Sequence, residues 1–185
     1  EKVKADVINQ FFFFFFSNSD NSTGLAFKNG HETTVKDVLN EASKRLETED
    51  LSSQPEVKAE LHQIIGSSYL TQGNYEQAEK HLRAALDLQT QLYGKDSLEV
   101  LPTLIKLGAV FINTIDYQTA EKIYRERISI LRREYQNGAI PPVHLLVALN
   151  DFAVLRRTQG NSNEAEIYLR EALALKQQIP PESRI

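Results

Sequence analysis

The chain has 185 residues, 21 basic and 25 acidic side chains, a formal net charge of −4 and no cysteine. A chain of this length buries roughly 70% of the surface its unfolded form exposes, so its core needs neither disulfide nor metal. Zero cysteine excludes a disulfide framework, a thiolate metal site, a cysteine nucleophile and a redox pair, and leaves secreted and cytosolic settings both open. A mildly acidic chain without a dense Lys/Arg face argues against nucleic acid, whose binding rests on phosphate neutralisation, and against an anionic membrane. Glu1 at the start and the absence of methionine point to a processed or excised piece of a larger protein.

In chain order, a first helix is expected from about Val3 to Phe16, and Ser17 to Glu32, rich in Ser, Asn, Asp and Gly, reads as a long loop. The helix contains six consecutive phenylalanines, Phe11 to Phe16. Six helical residues turn through about 600°, so the run covers every face, and it is far short of the roughly 20 apolar residues that span a bilayer. Burial against the Val35–Leu46 helix competes there with a dimer contact, through Phe13 and Phe14, or a membrane-surface anchor. From Thr34 to Leu46, Val35, Val38, Leu39, Ala42 and Leu46 form one helical stripe, and Thr34 with Asp37 approximates a capping box. The two helices make a hairpin able to cover the outer face of the helices after it.

From about Glu60 onward the chain is repetitive. Leu61, Ile65-Gly66, Tyr69, Gly73, Tyr75, Ala78, Leu82 and Ala85-Leu86 recur 42 residues later as Leu107-Gly108, Phe111, Tyr117, Ala120, Tyr124 and Ile128. After a further 45 come Phe152-Ala153, Gly160, Ala165, Leu169 and Ala172-Leu173. Apolar residues three, four and seven apart make each copy two amphipathic helices joined by a short turn. Small residues mark where the helices cross: Gly66, Gly108 and Ala153 on the first, Ala78, Ala120 and Ala165 on the second. Gly73-Asn74 and Asp116 build turns, Pro55 suits a first helical turn and Gly94 a helix end.

These residues resemble the tetratricopeptide repeat, above all Gly73-Asn74-Tyr75-Glu76-Gln77-Ala78-Glu79. The 42-residue period and the linker from Leu92 to Ser97 resemble the longer-helix version found in kinesin light chains and bacterial signalling proteins. Copy three departs from the pattern at Arg156 and Ser162, where aromatic residues are usual, and copy two at Arg127, where alanine is usual; there the pattern does not specify the local packing, while the fold it implies stands. The resemblance implies an all-α fold, an α-solenoid or right-handed superhelix of hairpins at about 55–93, 97–135 and 142–178, after the N-terminal hairpin of 1–50 and before a 180–185 tail opened by Pro180-Pro181.

The N-terminal part carries a second resemblance. Ile8 to Phe12, Phe15-Phe16, Asp20, Thr34 to Leu39 and Gln54 to Val57 are similar to the segment joining bacterial serine/threonine kinase domains to their C-terminal tetratricopeptide arrays. Phe13 and Phe14 fall where that segment is polar. No Gly-rich phosphate loop, His-Arg-Asp or Asp-Phe-Gly stands in this chain, so a kinase would lie outside it.

In the tetratricopeptide family the first helices line a concave groove. Carried over by position, the groove residues are Gln63, Ser67 and Leu70, then Ile105, Lys106, Ala109 and Asn113, then Asn150, Asp151, Val154 and Arg157. The amides of Asn113 and Asn150 both donate and accept, which suits an extended peptide backbone. His31, His62, His81 and His144 lack a paired i, i+4 spacing and are expected at the surface or partly packed. The loop cluster Asn18, Asp20, Asn21 and Ser22 lacks the order of a calcium loop, and Asn21-Ser22-Thr23 is a sequon that matters only in a secreted eukaryotic chain. The expectation is a non-catalytic module without metal or cofactor, binding a protein or peptide partner, with a cytoplasmic setting favoured and a membrane-anchored parent compatible. A homodimer through Phe13, Phe14 or the uncapped helix from Glu164 to Gln178 is the alternative.

Overall fold

The structure is a computed structural model that describes residues 6, 9, 34–48 and 51–179. The expected helix of 3–16 with its phenylalanine run, the loop of 17–32 and the Pro180-Pro181 tail lie outside the described residues, the isolated positions 6 and 9 apart. The described residues form seven α-helices: α1 (Val35–Thr48), α2 (Pro55–Thr71), α3 (Tyr75–Tyr93), α4 (Leu101–Asn113), α5 (Tyr117–Gln136), α6 (Pro142–Thr158) and α7 (Ser162–Gln178). A 3-10 turn, Leu98–Val100, precedes α4. No strand occurs among the described residues, and the fold is all-α as expected. The chain divides into two compact units, Glu1–Lys95 and Asp96–Ile185.

In the first unit α1 begins at the anticipated capping box. Thr34 N donates to Asp37 Oδ2 (3.0 Å) while Asp37 N donates to Thr34 Oγ1 (3.2 Å), satisfying two donors that a helix start leaves unpaired. These bonds hold the Asp37 carboxyl below its ordinary range. Leu39, Ala42 and Leu46 are buried, so the α1 stripe is the face that packs on the following hairpin. Helices α2 and α3 cross at Gly66, where a Cβ would meet Leu82 Cγ at 2.8 Å and the backbone of Leu82 and Ala78 at 3.1 and 3.2 Å. Only a residue without a side chain lets the two backbones come this close.

The second unit repeats the register. Gly108 of α4 faces the Tyr124 ring of α5, with a would-be Cβ 2.9 Å from Tyr124 Cε2, sixteen positions along as Leu82 is from Gly66. Helix α6 buries Leu145, Ala148, Leu149, Phe152 and Ala153, and Phe152 packs edge-on to Tyr168 (4.8 Å between ring centres) beneath the Arg125 guanidinium (5.0 Å). At Arg156, where the repeat usually has an aromatic ring, the guanidinium bonds Glu164 (2.6 Å) and Glu121. Arg132 grips Glu171 with both carboxylate oxygens, 3.0 and 2.9 Å from Nη2, tying α5 to α7. Leu169 and Leu173, which answer Leu82 and Leu86 in sequence, are both exposed on α7.

The turns within the three hairpins show why the chain reverses where it does. Gly73 (φ 75°) and Gly160 (φ 79°) end α2 and α6 in the left-handed region, and Asn74 N to Tyr69 O (3.0 Å) and Asn161 N to Arg156 O (2.9 Å) close the turns. Between them in sequence, at the equivalent place after α4, stands Ile115 with φ 62°. The next residue caps the following helix in two of the three: Gln77 N donates to Asn74 Oδ1 (3.4 Å) and Thr119 N to Asp116 Oδ1 (3.1 Å).

Candidate functional site

The residues assigned to a groove lie on the first helix of each hairpin, and all of them are exposed or half-buried. On α6 the face runs Val143, Val147, Asn150, Asp151, Val154, Arg157, at helical spacing; all three valines are exposed. On α4 it runs Pro102, Ile105, Ala109, Asn113, continued from Leu98 in the 3-10 turn before it, with Ile105 exposed, Ala109 and neighbouring Lys106 half-buried and Asn113 at the solvent edge. On α2, in the other unit, Gln63, Ser67 and Leu70 are all half-buried. Val143 and Val147 were missed by reading position against the family pattern. Their four-residue spacing with Asn150 and Val154 was the available signal.

Hydrogen bonding qualifies these residues individually. Asn113 Nδ2 donates to the Ala109 carbonyl of its own helix (2.8 Å), so that amide has a local partner, while Asn150 is half-buried in the middle of α6. Gln63 Oε1 accepts from Gln89 Nε2 (3.3 Å). Asp151 accepts from Arg127 Nη1 at 2.7 Å, and this pair was not foreseen. Arg127 takes up the alanine position of the repeat: its side chain is 8% exposed and the half-exposed Asp151 carboxylate balances its charge.

A pocket of ≈ 320 Å³ opens beside that pair in the second unit. Its walls come from Leu98, Leu101, Pro102 and Ile105 at the start of α4, Arg127 and Leu131 on α5, Ile140, and His144 on α6. Six of these eight residues are apolar, so the pocket offers shape and desolvation with one cation in its wall.

The first unit holds a polar cluster that corrects the expectation for the histidines. His81 is not a surface residue: it is 1% exposed, its Nε2 lies 2.8 Å from Ser43 Oγ and its Nδ1 lies 3.0 Å from His62 Nδ1. Tyr69 stacks on His81 and its hydroxyl donates to Asn40 Oδ1 (2.9 Å). Glu47 and Lys80 close the outside with an ion pair that holds the Glu47 carboxyl low. Burial pushes both imidazoles down to about 4, His62 further burdened by the charges of His81 and Lys58. With both imidazoles neutral, the Nδ1–H of one ring donates to the bare Nδ1 of the other. Ser43, on α1, is 7% exposed, and its contact with His81 of the first hairpin fastens α1 to that hairpin. Among the described residues no group of three or more His, Cys, Asp or Glu could hold a metal ion, and no helix is long and apolar enough to cross a membrane.

Two family profiles, both described as tetratricopeptide repeat, match residues 59–133 and 145–179, which together take in the hairpins from α2 to α7. The chain is a tetratricopeptide repeat protein. It is 24% identical over 117 residues to a TPR repeat-containing protein of Dictyostelium discoideum, a match that spans 63% of this chain and 7% of that protein. Its fold is similar to the crystal structure of BtubC (BKLC) from P. vanneervenii, with a TM-score of 0.67 at 18% identity, over 80% of this chain and 59% of that one. As a tetratricopeptide repeat chain it is built as a scaffold for protein–protein interaction, and repeats of this family are typically non-catalytic.

Proposed function

We propose that the chain binds a peptide segment or helix of a partner protein on the exposed face of its first helices, Gln63, Ser67 and Leu70 on α2, Ile105, Lys106, Ala109 and Asn113 on α4, and Asn150, Asp151, Val154 and Arg157 on α6. The observation that carries this reading is the α6 stripe, where three exposed valines flank Asn150. Apolar side chains left in water at helical spacing on a rigid hairpin are a surface that gains by being covered, and the rigidity keeps the ordering cost low. Binding of this kind involves no chemistry.

The test is affinity selection of 12-residue peptides from a random display library on the whole chain, followed by titration against Val147→Asp plus Val154→Asp. Both positions are exposed, so the variant keeps its fold. A loss of at least tenfold supports the groove; unchanged affinity removes it.

A second reading is favoured by Ile167, Leu169 and Leu173, exposed on α7, and by the Phe13 and Phe14 run: packing against another copy of the chain. Light scattering decides it, since a monomer has a mass of 21.0 kDa and a dimer twice that. Ile167→Ser plus Leu173→Ser, or Phe13→Ser plus Phe14→Ser, would return a dimer to a monomer. The resemblance of residues 8–57 to the kinase-linking segment supports placing the chain as the regulatory region of a bacterial signalling protein such as a serine/threonine kinase.

A further inference from the structure

The pocket at the start of α4 deepens the groove reading and rests on it. It shares a wall with the groove through Ile105, and the groove residue Asp151 holds the guanidinium that forms another wall. Its ≈ 320 Å³ is about twice the 150 Å³ or so of an apolar cavity that accepts benzene, so it admits one large side chain and little more. Arg127 Nη1 is engaged by Asp151, whereas Nε is buried without a hydrogen-bond partner. A charged donor left unmade beside an apolar pocket lacks an oxygen. Because the Asp151 carboxylate already balances the guanidinium, a neutral acceptor completes the site without adding net charge to apolar walls, and a second carboxylate does not.

We propose that this pocket is the anchor site of the groove, taking one bulky aliphatic or aromatic side chain of an extended peptide while a main-chain carbonyl next to that residue accepts a hydrogen bond from Arg127 Nε. The guanidinium turns slightly towards the carbonyl. The single bond to Asp151 is all it must keep while doing so.

The test uses peptides selected on the whole chain from the random 12-residue library, with affinity read by fluorescence polarisation. Each enriched peptide should contain a Leu, Ile, Met or Phe whose replacement by alanine weakens binding at least tenfold. Leu98→Glu, at an exposed position on the rim, should do the same, and Arg127→Met should weaken binding three- to tenfold with an unchanged melting temperature. Should Arg127→Met fail to fold, an ester replacing the amide that follows the anchor residue weakens its carbonyl as an acceptor and reads the same contact. Peptides indifferent to Leu98→Glu but lost with Val147→Asp plus Val154→Asp would overturn the pocket and keep the groove. Sensitivity to Leu98→Glu with none to Arg127→Met or the ester would overturn the carbonyl contact. No enrichment at all would overturn both readings.

Discussion

Ile115 offers the sharpest test of the repeat geometry. Its φ of 62° puts a β-branched residue where the other two hairpins have Gly73 and Gly160, and its side chain is 71% exposed. For an L-residue the left-handed conformation costs roughly 1–2 kcal/mol, because Cβ crowds the following carbonyl. Ile115→Gly removes that cost but gives the unfolded chain about 0.4–1 kcal/mol of extra entropy, and it forfeits the small part of the side chain that is buried. Wild type and the glycine variant should therefore lie close together. Ile115→Ala loses nearly the same buried surface and keeps the strain. The glycine variant should be more stable than the alanine variant by about 1 kcal/mol, which is roughly 2–4 °C in Tm for a chain of this size. Thermal and urea unfolding followed by helical circular dichroism measures the difference. If alanine equals or exceeds glycine, the left-handed turn after α4, and with it the equivalence of the three turns, is refuted.

Acid should weaken the first unit. His62 and His81 are held to about 4 when folded and titrate near the free value of about 6.5 when unfolded, so between those pH values the unfolded chain binds more protons and stability falls as pH falls. The slope is at most about 1.4 kcal/mol per pH unit for each histidine, it vanishes above about 6.5, and His62→Phe should roughly halve it in urea midpoints taken from pH 7 to 5. Gly66→Ala should destabilise by about 1–3 kcal/mol, since its Cβ meets the Leu82 and Ala78 backbone, whereas Gly108→Ala meets only a Tyr124 ring able to swing aside and regains up to about 1 kcal/mol of helix propensity. Equal losses in thermal melts would contradict the difference in crossing contacts. Arg132→Ala removes a half-exposed pair with Glu171 and should cost no more than about 1 kcal/mol, a cost that shrinks in 1 M salt.

Helix placement was legible in the sequence because its signals are local. Thr34 with Asp37, Asn74 and Asp116 as caps, Pro55 in a first turn, and the 42-residue recurrence of small residues at Gly66 and Gly108 each act within one or two turns of chain. Those signals settle the all-α fold, and the repeat they spell settles the family. The groove faces were legible only as positions on a pattern, which is why Val143 and Val147 were passed over.

The tertiary structure alone decided how residues far apart in sequence meet. Ser43, His62 and His81 carry no spacing that announces a cluster, yet α1 and the first hairpin bring them within hydrogen-bond distance and strip them of water, and that burial lowers the imidazoles. Arg127 read only as a departure from the repeat pattern; its bond to Asp151, 24 residues on, and its place in a pocket wall came from the structure. Leu169 and Leu173 sit at the repeat positions of Leu82 and Leu86, and only the structure showed that they face solvent. Local propensity and periodicity determine which segments are helical and which side is apolar; burial, pKa and a pocket's walls are properties of what lies across from a residue, and only packing supplies the other side.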